Sequence, residues 1–505
     1  MGGTASLPLD PDRDADALCQ LRRAHYTLGR GLPRFRSSPF RLQPSPGIDA
    51  VAKRNLPTEL WKRFQNDAIK EAPARALLDE AGRLQETTYW EWTRQVQRLA
   101  MGLVDWGLEP GARIGCVAPN SAALLDIMVA GWLAGACLVP LLPGQERSDS
   151  LRQLARSGCT LIVVADESER QRLQGPGGQL PSELRFLLLE GSADSPSTLS
   201  LEALSEQGRS RLRRGGLNLL AERMFERPAH APALILFDPT PSPDSRGALF
   251  DGERVLLLLE RLAHQMALTS EAPVRLGALL SYGWPGAFLL TMATLYAGQQ
   301  VAVAPSPRAL HEQIAALKPT HLICGPAFLE SLASRWQERV ERAPELLKQL
   351  ADHARDPSPL SRALGGIGEK AAERLLYQPV RSELGGRLRT IYVPEGQANL
   401  TWREILQRAG VKILGYFALP ETGISHLEHP DATRPGSAGR PIEGIATRHA
   451  NARGGEIDEL WLRGDTLFED YWSGTGPRTI NDQGWLPTDR RARLESGFIF
   501  LEPEA

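Results

Sequence analysis

Residues 233 to 255, ALILFDPTPSPDSRGALFDGERV, carry the arrangement in this chain closest to a catalytic loop. An apolar run opens into small residues and closes on a basic residue and a glycine, Arg246 and Gly247. Phosphate cradles are built this way, with backbone N–H groups and a cation facing the anion. Here, however, Pro239, Pro241 and Pro243 occupy alternate positions of the loop. Proline has no N–H and a φ fixed near −65°, so each one removes a donor and the conformations glycine would supply. A hydrogen bond to a charged group is worth about 1.5–3 kcal/mol, so losing two or three costs on the order of 3–9 kcal/mol of phosphate affinity. Asp238 adds repulsion at the loop entrance. An ordinary surface loop is the competing reading of this segment.

Other chemistries find less support. Cys19, Cys116, Cys137, Cys159 and Cys324 are far apart and mostly embedded in apolar runs such as IGCVA, GACLVP and LICGP, as expected of reduced, buried thiols in a cytoplasmic protein. No CxxC pair, HExxH or close His/Cys cluster suggests a transition-metal site. With 58 basic against 60 acidic residues the chain has no global field to draw in nucleic acid or an anionic membrane. The longest apolar stretches contain Gly and Pro and fall short of the roughly 20 residues that span a bilayer. The start, MGGTASLPLDPDRDADAL, lacks the basic and apolar regions of a secretion signal. The expectation is a cytoplasmic protein with no nucleic-acid partner and no transmembrane segment.

The elements that must position the loop follow from periodicity. Residues 1–55 mix Pro, Arg and Ser without apolar rhythm and read as a flexible extension. From Leu56 the texture changes: Trp92, Val96, Leu99, Leu103 and Trp106 recur at three- and four-residue steps, the mark of a helix ending at Gly107. Strand-like ARIGCVAP, CLVPLL and TLIVVAD alternate with helical SAALLDIMVAGWLAG and RSDSLRQLARSG. Such alternation implies parallel crossovers and an α/β sheet covered on both faces. Residues 168–232, broken by GPGG, SADSPS and RRGG, read as a polar surface connection, after which the rhythm resumes. The region from about 387 to 503 reads as a smaller β-rich subdomain. The expected class is α/β, with two doubly wound parallel-sheet subdomains and that smaller one.

The segment TYWEWTRQVQRLAMGLVDWGLEPGARIGCVAPNSAALLDIMVAGWLAGACLVPLLP, followed in order by PTHLICGPAFLESL, GSAGRPIEGI, ELWLRGDTLFEDYW and DQGWLPTD, resembles the adenylate-forming (AMP-binding) superfamily. AERLLYQPVRSELGGRLRTIYV is similar to its fatty acyl-CoA synthetase branch. The likeness runs over about residues 56–503. It implies the large N-terminal domain of an acyl-CoA synthetase and two-step chemistry: a carboxylate attacks the α-phosphate of ATP, and a thiol such as coenzyme A displaces AMP from the acyl-adenylate. The resemblance further implies Arg246 and Gly247 as the end of the phosphate loop, Glu421 as the magnesium-binding carboxylate, Tyr416 or Phe417 as the ring to stack on adenine, and Asp489 as the acceptor for the ribose hydroxyls. It places an acyl tunnel beside SYGWPGAFLLTM and RTIYVPEG, with Tyr282, Trp284 and Gly286 as lining and core packing of the aromatics as the alternative.

The departures from the family pattern are as informative. Asp238 to Pro243 replace its Thr/Ser/Gly run, Gly283 stands where His is usual, Pro420 replaces Thr, and one glycine is missing before Asp489. The chain ends at GFIFLEPEA, where the resemblance would continue into a mobile C-terminal lid bearing the adenylating lysine; that lid is expected to be absent here. Two functions are therefore expected to compete. The first is a catalytically impaired or non-catalytic relative that binds an acyl group, a nucleotide or a protein partner. The second is a ligase using ATP, magnesium and coenzyme A on a fatty or other carboxylic acid, with a lid supplied by another chain.

Overall fold

The structure is a computed structural model that describes residues 54–175, 184–192, 195–240, 242, 245–269, 272–304, 307–342, 378–396, 403, 406–450, 456–472 and 480–502. Cys19, the extension up to residue 53, and Pro241 and Pro243 lie outside the described residues.

The body opens with Asn55, whose side chain accepts from the Thr58 N–H and so caps helix α1 (Leu56–Phe64). Strands β1 (Pro73–Leu78) and β2 (Leu84–Thr88) form a hairpin. Helix α2 (Tyr89–Asp105) starts in a capping box in which Thr88 and Glu91 satisfy each other's backbone N–H groups. Next come β3 (Arg113–Val117), α3 (Ala122–Leu133), β4 (Cys137–Pro140), α4 (Arg147–Ser157), β5 (Leu161–Val164) and α5 (Glu167–Gln174). They are followed by β6 (Arg185–Leu188), β7 (Thr198–Ser200), α6 (Leu201–Arg213), α7 (Leu217–Phe225), β8 (Pro232–Leu236), β9 (Ala248–Asp251) and α8 (Gly252–Gln265).

The second half runs through β10 (Arg275–Ala278), α9 (Pro285–Tyr296), β11 (Gln300–Ala302), α10 (Pro307–Leu317), β12 (His321–Ile323), α11 (Pro326–Glu341), α12 (Gln378–Glu383), β13 (Thr390–Pro394) and β14 (Lys412–Leu419). The chain then turns back through β15 (Gly423–Leu427), β16 (Arg440–Pro441), β17 (Ile445–His449), β18 (Ile457–Gly464), β19 (Asp470–Tyr471), β20 (Leu486–Glu495) and β21 (Phe498–Leu501).

These strands make three sheets. One has the order β19-β9-β8-β4-β3-β5-β6-β7, a second β16-β15-β14-β13-β12-β10-β11-β1-β2, and a third, wholly antiparallel, β17-β18-β20-β21. The inner pairs of the two large sheets are parallel, as in β3 with β4 and β12 with β13. Their strands are largely apolar and buried because both faces are covered by helices. The expected class, two doubly wound sheets and a smaller β unit, is the observed one.

Two boundaries differ from the sequence reading. The stretch 168–232 is not merely a polar connection, for it supplies β6 and β7 to the first sheet and the helices α6 and α7. Its polar composition belongs to the exposed faces of those helices. Packing of α6 on α2 hides behind two glycines. A Cβ at Gly208 would stand 1.9 Å from the Arg98 carbonyl oxygen, and one at Gly102 would stand 2.3 Å from that of Leu204, so the helices touch backbone to backbone. The β-rich subdomain also begins later than residue 387, because β13 to β16 belong to the second large sheet and the small one starts at Ile445.

The two large sheets are joined through a buried polar network. Arg75 of β1 donates from one terminal nitrogen to both oxygens of Asp126 on α3, each at 2.6 Å. Trp92 Nε1 and Gln95 Nε2 of α2 donate to the same carboxylate at 2.7 and 2.9 Å.

Candidate active site

Strand β8 delivers Phe237 into the core, and the loop leaves it at the exposed Asp238. Among the described residues of the loop, two N–H donors turn inward on the loop itself. The Thr240 N–H donates to Asp238 Oδ1 at 2.7 Å, and the Ser245 N–H to the Ser242 carbonyl at 3.1 Å. Pro239 has no N–H to offer. At the far end, Gly247 is explained by packing, since a Cβ there would stand 2.6 Å from Ile235 Cγ2 and 2.9 Å from the Phe237 ring.

Glu421 sits in the tight turn between β14 and β15, closed by the Thr422 N–H on the Leu419 carbonyl. Its carboxylate accepts from the Tyr471 hydroxyl at 2.7 Å. The Arg246 guanidinium lies over that same tyrosine ring, 3.8 Å from its centre. Tyr471 is held there by β19, which pairs with β9 opposite Ala248. Burial pushes the Glu421 carboxyl above the usual range, against the Tyr471 hydrogen bond, which lowers it; the nearby Asp238 raises it further and Arg246 lowers it. The structure thus brings Asp238, Arg246 and Glu421 together around Tyr471. Tyr471 lies in the ELWLRGDTLFEDYW segment that carried the family likeness, but nothing in its spacing marked it as the residue joining a cation to a carboxylate.

The other candidates are not gathered at this point. Tyr416 and Phe417, neighbours on β14, face opposite sides of the sheet and both are buried, so neither ring presents an open face for adenine. The Tyr416 ring lies against α9, with its Cε2 2.2 Å from where a Cβ of Gly286 would be. Phe417 lies under Arg490, whose guanidinium is 5.9 Å from the ring centre and pairs with Glu395 at 2.7 Å. Asp489 is exposed, at φ 55°, where β20 passes the bulge opposite β18.

The tunnel residues also part company. Tyr282 is buried, its N–H donating to Asn120 Oδ1 at 2.8 Å, whereas Trp284 is 37% exposed. At Gly283 a Cβ would stand 2.5 Å from the Leu142 nitrogen, so the histidine usual in the family has no room at this position. A small pocket of about 10 Å³, room for a single water, opens elsewhere, among Leu56, Trp132, Arg227, Pro228 and Gly252, and includes none of these candidates.

Gly286 does not line open space; it makes room for Tyr416. Gly286→Ala is therefore expected to cost about 1–3 kcal/mol by overpacking, and a second change, Tyr416→Leu, to recover part of it. Chemical denaturation of the single and double variants checks this, and a neutral Gly286→Ala would contradict it.

The residues present do not fit a magnesium triphosphate. The Glu421 carboxylate is already hydrogen-bonded and made reluctant to ionise by burial, the Arg246 cation is stacked on a ring, and the Thr240 and Ser245 N–H groups are spent within the loop. Among the described residues no group of three His, Cys, Asp or Glu side chains is arranged to hold a metal ion.

Comparison with solved structures places this architecture among adenylate-forming proteins. The o-succinylbenzoate CoA synthetase of Bacillus subtilis, solved with its acyl-adenylate intermediate, superposes with a TM-score of 0.63 at 17% identity, covering 89% of this chain and 78% of that one. The N-terminal domain of FACL13 from Mycobacterium tuberculosis gives 0.62 at 16% identity, covering 89% of this chain and all of that one. At these identities the likeness is one of fold. The AMP-binding enzyme family model matches residues 64–237 and 257–472, and the chain belongs to that family.

Its relatives include the long-chain fatty acid CoA ligase FadD15 of Mycobacterium bovis, 23% identical over 82% of this chain and 69% of the ligase. A long chain acyl-CoA synthetase of Arabidopsis thaliana is 22% identical over 82% of this chain and 65% of the synthetase. The chain thus spans about two thirds of the length of the ligases it matches.

Proposed function

We propose that this protein is a catalytically impaired or non-catalytic relative of the fatty acyl-CoA ligases, which keeps the adenylate-forming scaffold for binding. The observation that carries this reading is the closed triad at the loop: Tyr471 occupies Glu421 with a hydrogen bond and Arg246 with its ring face. A metal and a triphosphate would have to displace both contacts while approaching Asp238. The lost N–H donors add to that cost. Of the possible occupants of the scaffold, a protein partner is favoured over an acyl chain, because Tyr416 fills the space beside Gly286. The buried, unpaired thiols of Cys116, Cys137, Cys159 and Cys324 support a cytoplasmic setting, and among the described residues no helix is long and apolar enough to cross a membrane.

The second reading is a ligase that forms an acyl-adenylate from ATP and a carboxylic acid and passes it to coenzyme A. One observation favours it, namely that Arg246 and Glu421 do converge on one point.

Pyrophosphate release from ATP and magnesium with a panel of fatty acids, beside an active fatty acyl-CoA ligase, separates the two. Release at the level of a no-enzyme blank is expected. Calorimetry with adenosine, AMP and ATP is expected to show less than about a tenfold gain from the added phosphates, or 1.4 kcal/mol. Sustained turnover, or tight ATP binding that requires magnesium, would establish the ligase reading instead.

A further inference from the structure

The small antiparallel sheet carries an arginine–tryptophan stack that the closed triad does not use. Arg448 of β17 lies directly opposite Trp461 of β18, with its guanidinium 5.0 Å from that ring. The same guanidinium is 4.3 Å from Trp485, and Arg463, two residues beyond Trp461, is 4.8 Å from Trp485 on the same face. The order across the face is Trp461, Arg448, Trp485, Arg463.

Three features set this patch apart from an ordinary charged surface. First, among the described residues neither Arg448 nor Arg463 has a carboxylate partner. Farther along β20, by contrast, Arg491 pairs with Glu502 at 3.5 Å and Arg493 with Glu495. Second, two neighbouring N–H donors on the paired residues, Arg448 Nε and Trp461 Nε1, are covered and have no acceptor. Buried donors are rarely left so, and each one calls for an explanation. Third, the aromatic planes hold the guanidiniums side by side before any ligand arrives, which lowers the ordering cost of binding.

We propose that this face is a docking surface for a partner protein that presents an acidic segment. Its carboxylates would face the Arg448 and Arg463 guanidiniums, which have no carboxylate partner among the described residues. Tryptophan and arginine are the residues that dominate protein interfaces. A nucleic acid is disfavoured because the chain is not basic overall, with 58 basic against 60 acidic residues. A membrane is disfavoured because Trp485 is only 9% exposed, lying beneath the guanidiniums, and does not project as an anchor. The proposal is independent of whether the Glu421 site turns over, and its test needs no nucleotide.

A short fluorescein-labelled oligoglutamate, titrated against the full chain at low salt and followed by anisotropy, is the first arm; oligouridylate and phosphatidylserine vesicles are the others. The oligoglutamate is expected to bind, to change the indole emission, and to weaken at least tenfold in Arg448→Gln/Arg463→Gln. Arg83→Gln, at an exposed arginine paired with Asp79, should leave binding unchanged. Should the double variant fail to fold, Arg463→Gln alone, at an exposed position, is expected to weaken binding about threefold or more. Absence of oligoglutamate binding, or binding indifferent to the arginine variants, would overturn the proposal. Tighter arginine-dependent binding of the RNA or the vesicles would overturn its choice of partner.

Discussion

Lowering the pH from about 7.5 to 5 is expected to remove roughly 4 kcal/mol of stability through two buried histidines alone, about 2 kcal/mol each. His426 is enclosed between β14 and the small sheet, with Nδ1 beside Ser425 Oγ and Nε2 beside Thr447 Oγ1, both at 3.0 Å. His321, on β12, has Nδ1 2.9 Å from Thr320 Oγ1 and stacks on Tyr392. Burial holds both imidazoles down to about 3, from an ordinary value of 6.5, and Arg389 adds to the effect at His321. A depressed value means that the unfolded chain takes up the proton first. The contribution is complete above pH 6.5 and is lost progressively as pH falls toward 3.

Asp126, which burial pushes up to about 6 despite Arg75, and Glu421 have raised values and pull the other way, since their contribution is complete at low pH and lost as pH rises. A difference measurement isolates the histidines. His426→Gln, which keeps a polar group for Ser425 and Thr447, should flatten the pH dependence of the denaturant midpoint by about half of the histidine share. Parallel pH profiles for the variant and the parent protein would count against this account of His426.

The second large effect concerns the Arg75–Asp126 pair. Arg75 is 4% exposed and Asp126 1%, so truncating the acid leaves a cation with its charge shut away from water. Such a loss costs about 3–5 kcal/mol, and Trp92 Nε1 and Gln95 Nε2 lose their acceptor as well. Asp126→Ala is expected to fall in that range by chemical denaturation. Replacing both partners together, as Arg75→Met/Asp126→Leu, should recover most of the loss, because two apolar groups of similar size leave no charge stranded. A cost below about 1 kcal/mol for Asp126→Ala would show that the surroundings solvate Arg75 without its partner.

The fold was legible in the sequence because its signals are local and repeated. Apolar steps from Trp92 to Leu103 mark one helix, and the alternation around IGCVA and CLVPLL marks parallel strands. The stretch 168–232 misled because β6 and β7 are only four and three residues long, too short to stand out between glycine-rich turns. At the site, the donor missing at Pro239 is plain from the sequence, while Arg246 and Glu421 were singled out by the family resemblance. The part played by Tyr471 could not, because β19 reaches back across more than two hundred residues to pair with β9. Nor does a sequence reveal that Gly286 is small for the sake of Tyr416, or that Arg448 and Trp485 meet, since both depend on how elements far apart in the chain pack together.

The Arg490–Glu395 pair ties the small antiparallel sheet to the carboxyl edge of the second large sheet. The two side chains are 12% and 19% exposed, and Glu395 keeps a left-handed backbone at φ 58° while its N–H donates to the Tyr416 carbonyl at 2.6 Å. A bond of this kind couples the two sheets in their fluctuations. Amide hydrogens of β18 and β20 should therefore exchange with solvent through openings that also expose β14, not through independent peeling of the small sheet. The third sheet is then a mechanical continuation of the second, and whatever docks on its arginine face bears on the strand that carries Tyr416 and Phe417.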